Sequence, residues 1–281
     1  RTILLCATIV AFSSQASAGV KRYPFPPDFK WCVATSPHQI EGVNKASDWW
    51  DFEHRSPECD ASGCRCTVKN CETSGVAVDH WNRLEEDTGL LKELNLKAYR
   101  LGIEWAKIEP TQGSWDLEAI KHYQKEIALL RQNGIEPIVT LQHFTLPKWF
   151  SDKGGWAWSE APHAFQRFTE LVYTDIAPLV RDWVTINEPM IHLGGGYVLG
   201  MTPPGYSPSG VKTDPAYASG CSRDVPEGTP SVSGTTPADM QRMVAPLRGL
   251  LKSHAKAYHM LHYLARKHGR EVRVGMAHHL R

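Results

Sequence analysis

The chain has 281 residues, of which 42% are hydrophobic and 22% charged; this is ordinary globular material and excludes disorder as the default state. The formal net charge of +1, with no long run of one sign, leaves no electrostatic footprint for nucleic acid or an anionic membrane. A neutral partner fits such a chain best.

At the N-terminus, Arg1 precedes an apolar run from Ile3 to Phe12, then polar Ser13-Ser14-Gln15 and small Ala16-Ser17-Ala18, the layout of a secretory signal peptide. An apolar run of about ten residues is too short to cross a bilayer, which takes about twenty. Residues 1–18 are therefore expected to be cleaved on export, leaving residues 19–281 as a secreted protein, extracellular or periplasmic, with no membrane attachment. Of the seven cysteines, Cys6 leaves with the signal and Cys32, Cys59, Cys64, Cys66, Cys71 and Cys221 remain. Four of these crowd into a segment at about 56–73 with the palindromic spacing Cys59-x4-Cys64-x-Cys66-x4-Cys71. Because that segment has neither helical nor strand periodicity and export favours oxidation, it reads as a disulfide-stapled loop. The rival, a zinc knuckle, lacks a Cys-x2-Cys pair. Six cysteines allow fifteen pairings, and the sequence chooses none of them.

Beyond the signal, short β-rich runs alternate with longer segments of helical period, as in parallel α/β folds. A first strand is predicted over 29–35. A helix over 78–94 follows the cysteine loop, with Val78, Trp81, Leu84, Leu91 and Leu94 near one face, and a second strand runs over 98–105. The next helix has Asp116 as N-cap, Ile120, Tyr123, Ile127 and Leu130 at spacings of three and four, and Gly134 where a left-handed cap belongs. A third strand (137–141), a Pro/Gly/Trp-rich loop through Trp158, a helix carrying Phe165, Phe168, Val172 and Ile176, and a fourth strand (183–186) come next. Residues 194–237 read as a long loop within the same domain, because a helix (238–268) and a fifth strand (272–277) resume the alternation. Doubly wound sheets and (β/α)8 barrels both begin this way, and periodicity does not separate them.

Polar residues cluster at the strand ends: Gln39 after the first, His143 after the third, Asn187 and Glu188 after the fourth, with Arg100 inside the second. Singly, each has an ordinary structural reading: Glu188 as a surface carboxylate starting a turn before Pro189, Arg100 as an ion-pair partner, Gln39 and His143 as satisfied polar groups. Together they stand where a barrel collects its catalytic groups, at the C-terminal ends of several strands.

The ordered series Phe25-Pro26-Pro27-Asp28-Phe29-Lys30-Trp31, Ala34-Thr35-Ser36, Gln39-Ile40-Glu41-Gly42, Asp79-His80-Trp81-Asn82-Arg83, Tyr99-Arg100-Leu101-Gly102-Ile103-Glu104-Trp105, Gly134 through His143, Gly154-Gly155-Trp156 and Trp183 through Pro189 resembles glycoside hydrolase family 1 across 24–205. The resemblance implies a (β/α)8 barrel, incomplete in this chain at about its first five strands, that hydrolyses β-linked glucosides or galactosides with retention. It implies that Glu188 is the acid/base, that Gln39, His143 and Asn187 bind hydroxyls of the sugar, and that Arg100 sits beside the nucleophile and keeps it ionised. No metal or organic cofactor is implied, since two carboxylates and water suffice. Two departures stand out: Phe144 and Thr145 replace the family's usual Trp and Asp after its His, and Cys32 replaces a usual Gly.

A retaining site needs a second carboxylate about 5–5.5 Å from the first. By resemblance this nucleophile belongs to a Glu-Asn-Gly segment on the seventh strand, and no such tripeptide occurs in the sequence. The chain is accordingly expected to be an N-terminal fragment without activity of its own, its unclosed sheet exposing edges at the first and fifth strands. Two other readings share these residues: a non-catalytic sugar-binding or receptor-like relative, and an inverting hydrolase pairing Glu188 with Glu41, Asp48 or Glu104.

Overall fold

The alternation read from the sequence folds into a parallel sheet with helices laid on its outer face. The computed structural model describes residues 24–55, 57–60, 63–206 and 237–279. The signal segment 1–18, Cys221 and most of the long loop (207–236) lie outside the described residues. In chain order the elements are β1 (Cys32–Ala34), α1 (Pro37–Ile40), α2 (Asp48–Glu53), α3 (Leu84–Glu93), β2 (Ala98–Gly102), α4 (Trp105–Ile108), α5 (Leu117–Gln132), β3 (Glu136–Thr140), α6 (Lys148–Asp152), α7 (Ala161–Leu171), β4 (Asp182–Asn187), α8 (Pro189–Leu193), α9 (Pro237–Lys267) and β5 (Arg273–Ala277). The five strands pair in sequence order, β1-β2-β3-β4-β5, and every pairing is parallel. A separate unit ends at Trp31; within it Phe25, Phe29 and Trp31 form a small ring cluster with centroids 4.4–5.0 Å apart.

Strand alternation decides what faces what. Tyr99, Leu101, Val139 and Trp183 point into the core under the helices, whereas Arg100, Ile138 and Val184, on the opposite face, are only partly covered. The core is aromatic: Trp105 of α4 lies nearly parallel to Phe168 of α7 at 4.9 Å, and Phe150, Trp156 and Phe165 close around them. α5 forms as expected, with the Asp116 carboxylate accepting from the backbone N–H groups of Glu118 and Ala119 at 2.9 and 3.0 Å, and with Ile120, Tyr123, Ile127 and Leu130 buried. α9 crosses the Trp156 turn so closely that a Cβ at Gly249 would fall 1.8 Å from the Trp156 carbonyl oxygen, so only glycine fits.

Several expectations need correction. The helix predicted over 78–94 spans only Leu84–Glu93, because Ala77 and Asp79 adopt left-handed backbone and His80–Asn82 form a separate 3-10 turn. Of its proposed buried face Leu84 is buried, but Val78 and Leu94 are 57% and 68% exposed. The first strand is only three residues long and all three are exposed, and the second stops at Gly102 because Glu104 caps α4. The helix through Ile176 finishes in a wider π-helical turn, Val172–Ile176. The cysteine segment is not without strands: Glu58–Asp60 and Gly63–Arg65 make a short antiparallel hairpin, and beside it Cys66 and Cys71 lie at disulfide distance with Cα atoms 5.1 Å apart.

Buried carboxylates organise the loop between α1 and α2. The Tyr123 hydroxyl donates to Glu41, which also faces the Lys107 ammonium at 3.3 Å, and the same hydroxyl accepts the backbone N–H of Glu104. Glu104 accepts from the Thr145 hydroxyl at 2.7 Å, and Asp48 accepts from the backbone N–H of Leu146 at 2.9 Å. Burial raises Glu41 to about 8, against the pull of Lys107, and raises Glu104 and Asp48 as well. One turn further along the same face of α5, His80 bridges Asp87 (2.6 Å) and Glu126 (3.2 Å). Burial alone would lower His80, but Glu126 and Asp87 outweigh it and hold the ring at about 9.

Two outcomes follow from this polar core. His80→Gln, leaving Glu126 buried and unpaired, should cost about 3 kcal/mol or more in urea unfolding. Because the folded His80 lies above its ordinary 6.5, its contribution is fully present below that pH and is lost as pH rises through about 9. Wild type and variant should therefore differ at pH 6 and converge at pH 10; equal stabilities at pH 6 would refute the bridge. Thr145→Asp should cost about 2 kcal/mol or more, because it sets a second carboxylate against Glu104 without a donor, while Thr145→Ser stays near wild type.

Candidate active site

Gln39, His143, Asn187 and Glu188 stand at or after strand ends, and Arg100 lies within β2. After β1 the chain turns at Ser36 into α1, whose Pro37 ring occupies the space over Gly102; a Cβ there would fall 2.5 Å from the ring. This close seating, with the Thr35 N–H bonded to the Arg100 carbonyl at 3.1 Å, holds the turn bearing Gln39 over the end of β2. Gln39 itself is exposed, and no hydrogen bond links its side chain to the other four candidates.

Arg100 is the residue that ties the strands together. Its guanidinium donates from Nε to Thr140 Oγ1 on β3 at 2.9 Å and from Nη2 to Asn187 Oδ1 on β4 at 2.6 Å. Burial lowers its affinity for the proton, and the charge of Glu188 acts in the opposite sense, so Arg100 and Glu188 lie in each other's field. An arginine stays charged in such a place. His143, by contrast, is pushed down to about 4 by burial and by the Arg100 charge, so it is a neutral ring near pH 7. Its buried Nδ1 has no protein partner.

Asn187 is 4% exposed, and its backbone N–H bonds to the Gln142 carbonyl at 2.9 Å. Glu188 then adopts left-handed backbone, φ 43° and ψ 61°, immediately before Pro189. For a non-glycine residue preceding proline this conformation is strained, by about 1–3 kcal/mol. It is held from both sides: the Glu188 N–H donates to the Ala277 carbonyl at 2.7 Å, and its carbonyl accepts from Ile191 and His192 at the start of α8. The side chain is one-third exposed, and Oε1 lies 3.5 Å from Nδ1 of His279. A carboxyl both anchored and reachable by solvent suits a group that must exchange its proton.

Four of the five candidates are thus drawn together: Arg100 bonds Asn187, Glu188 adjoins it, and His143 feels Arg100. Glu41, Asp48 and Glu104 are at most 4% exposed and committed to partners in the core, so none offers a free carboxylate at this mouth. Thr145 is spent on Glu104, so the lost aspartate at this position is a change in the core; Phe144, with φ 71°, stays beside the site against His143 and His192. Three further residues belong here. Gln142 is 2% exposed with neither amide atom bonded to protein, and an amide side chain directly after the β-rich run Ile138–Leu141 is the sequence signal for it. His192, on α8, is fully buried and lowered to about 4 by burial, and His279 lies two residues past the end of β5; only the three-dimensional placement identifies these two. Among the described residues no group of three or more His, Cys, Asp or Glu could hold a metal ion.

The family model for glycosyl hydrolase family 1 matches residues 21–281. Beta-glucosidase A of Acetivibrio thermocellus is 35% identical over 66% of this chain and 41% of its own length; coniferin beta-glucosidase of Pinus contorta is 34% identical over 72% of this chain and 39% of its own. The solved beta-glucosidase of Thermotoga maritima in complex with glucoimidazole superposes with a TM-score of 0.71 at 28% identity, covering 90% of this chain and 49% of that one. The chain therefore spans about two fifths of the length of these curated relatives and about half of the solved structure. Its five parallel strands are part of a (β/α)8 barrel. On the family match over nearly its whole length, the chain belongs to glycosyl hydrolase family 1.

Proposed function

We propose that Glu188 is the acid/base of a retaining β-glycosidase acting on β-linked glucosides or galactosides, and that the described sheet carries the acid/base and sugar-binding side of its site. The observation that carries this reading is the strained, doubly anchored backbone of Glu188 beside the Arg100–Asn187 hydrogen bond. In the first step the Glu188 carboxyl gives its proton to the departing glycosidic oxygen while a second carboxylate attacks the anomeric carbon from the opposite face. In the second step ionised Glu188 takes a proton from water, and that water cleaves the glycosyl–enzyme bond and releases sugar of unchanged configuration. Asn187, neutral His143 and Gln39 serve as hydroxyl partners, and Arg100 stabilises the nucleophile's charge. The second carboxylate is assigned to sequence matching the remainder of the relatives' length. In the same proposal residues 1–18 direct export, the whole product is secreted, and no cofactor or metal takes part.

In the product that includes the nucleophile, Glu188→Gln should lower kcat/KM on an alkyl β-glucoside by about 10²- to 10⁴-fold. Added azide should restore turnover of an activated aryl glucoside by forming the β-glycosyl azide, since the small anion needs no base. Unchanged kinetics in Glu188→Gln would overturn the assignment. The 281-residue chain alone should not turn over an aryl β-glucoside; turnover abolished by Glu188→Gln in that chain would show that the site needs no further segment.

A further inference from the structure

The ends of β4 and β5 run side by side. Asn187 pairs with Ala277, and the Glu188 N–H donates to the Ala277 carbonyl at 2.7 Å. One residue beyond Asn187 is Glu188, and two beyond Ala277 is His279, whose Nδ1 lies 3.5 Å from Glu188 Oε1. Both side chains are about one-third exposed, 32% for Glu188 and 37% for His279, so the contact opens on the solvent side of the mouth. The other groups around Glu188 leave that side to His279. Arg100, from β2, is committed to Thr140 and Asn187. His143, after β3, and His192, on α8, are both lowered to about 4 and carry no charge near pH 7. A carboxyl has two oxygens and rotates about its last bond, and which oxygen carries the proton, and where it points, matters to a group that must meet a leaving oxygen within about 3 Å. A fixed imidazole donor on one oxygen settles both.

We propose that His279 is a positioning residue for Glu188: its Nδ1–H holds Oε1, leaving the other carboxyl oxygen to deliver the proton to the departing group. At 3.5 Å the contact is longer than a hydrogen bond, and contacts of this kind tighten when substrate fills the site. The role attributed to the histidine rests on the acid/base reading of Glu188, whereas the pairing itself does not.

Nitrogen-15 NMR of the imidazoles in the 281-residue chain tests the pairing directly. With Glu188 present, neutral His279 should carry its proton on Nδ1; in Glu188→Ala it should revert to the ordinary Nε2–H tautomer. An unchanged His279 tautomer in Glu188→Ala, or in the apolar, similarly sized Glu188→Met should the alanine variant not fold, overturns the proposal. In the active product, His279→Ala should lower kcat/KM about tenfold on an alkyl glucoside, whose poor leaving group needs protonation, and leave a dinitrophenyl glucoside within about twofold, with His279→Gln partly restoring the former. Equal losses on both substrates mark a merely structural residue and also overturn it. The acid/base reading fails separately: Glu188→Gln would then show no dependence on leaving group, whatever tautomer His279 adopts.

Discussion

The site depends on one side chain that spans three strands. Arg100 leaves β2, donates to Thr140 on β3 and reaches Asn187 on β4, and so fixes the relative height of three strand ends with charge-assisted hydrogen bonds. A half-buried guanidinium is costly to place, and its cost is offset only because its donors meet oxygens and its charge meets Glu188. Burial, reinforced by the same charge, keeps His143 neutral, so the mouth holds a carboxyl in the field of one cation, an uncharged ring beside it, and polar amides from Gln142 and Asn187 around them.

Behind that mouth the protein uses buried, hydrogen-bonded carboxylates as structural cement. Glu41, Glu104 and Asp48 tie together α2, α4, α5 and the loop after β3 that bears His143. The Thr145–Glu104 pair matters here, because it places the carboxylate on the α4 side and the hydroxyl on the loop after β3. Glu188 is treated differently. Its backbone is strained and pinned to β5, while its carboxyl remains open to solvent. Binding energy and rigidity are thus placed in the backbone, and freedom to exchange a proton is left to the side chain.

Much of this was legible in the sequence, for identifiable reasons. Asp116 and the three-and-four spacing of Ile120, Tyr123, Ile127 and Leu130 are local signals, and α5 forms as they dictate. Glu188, Asn187, Arg100 and His143 stood out because strand ends in an α/β fold converge, and four of the five candidates do meet. The failures also have physical causes. Val78 and Leu94 fit a helical period, but left-handed Ala77 and Asp79 start the helix later. Glu104 looked like a spare acid, since nothing local reveals that Thr145, forty-one positions away, would donate to it. His279 was invisible because its importance arises only from the β4–β5 register.

The central claim is that a sugar sits against Arg100, Asn187 and Glu188 at this mouth. A crystal structure of the active product with bound glucoimidazole tests it most directly. The account predicts the Glu188 carboxyl within about 2.6–3.2 Å of an imidazole nitrogen, with Asn187, His143 and Gln39 on the sugar hydroxyls. A sugar ring bound elsewhere, with Glu188 remote from it, would contradict the account.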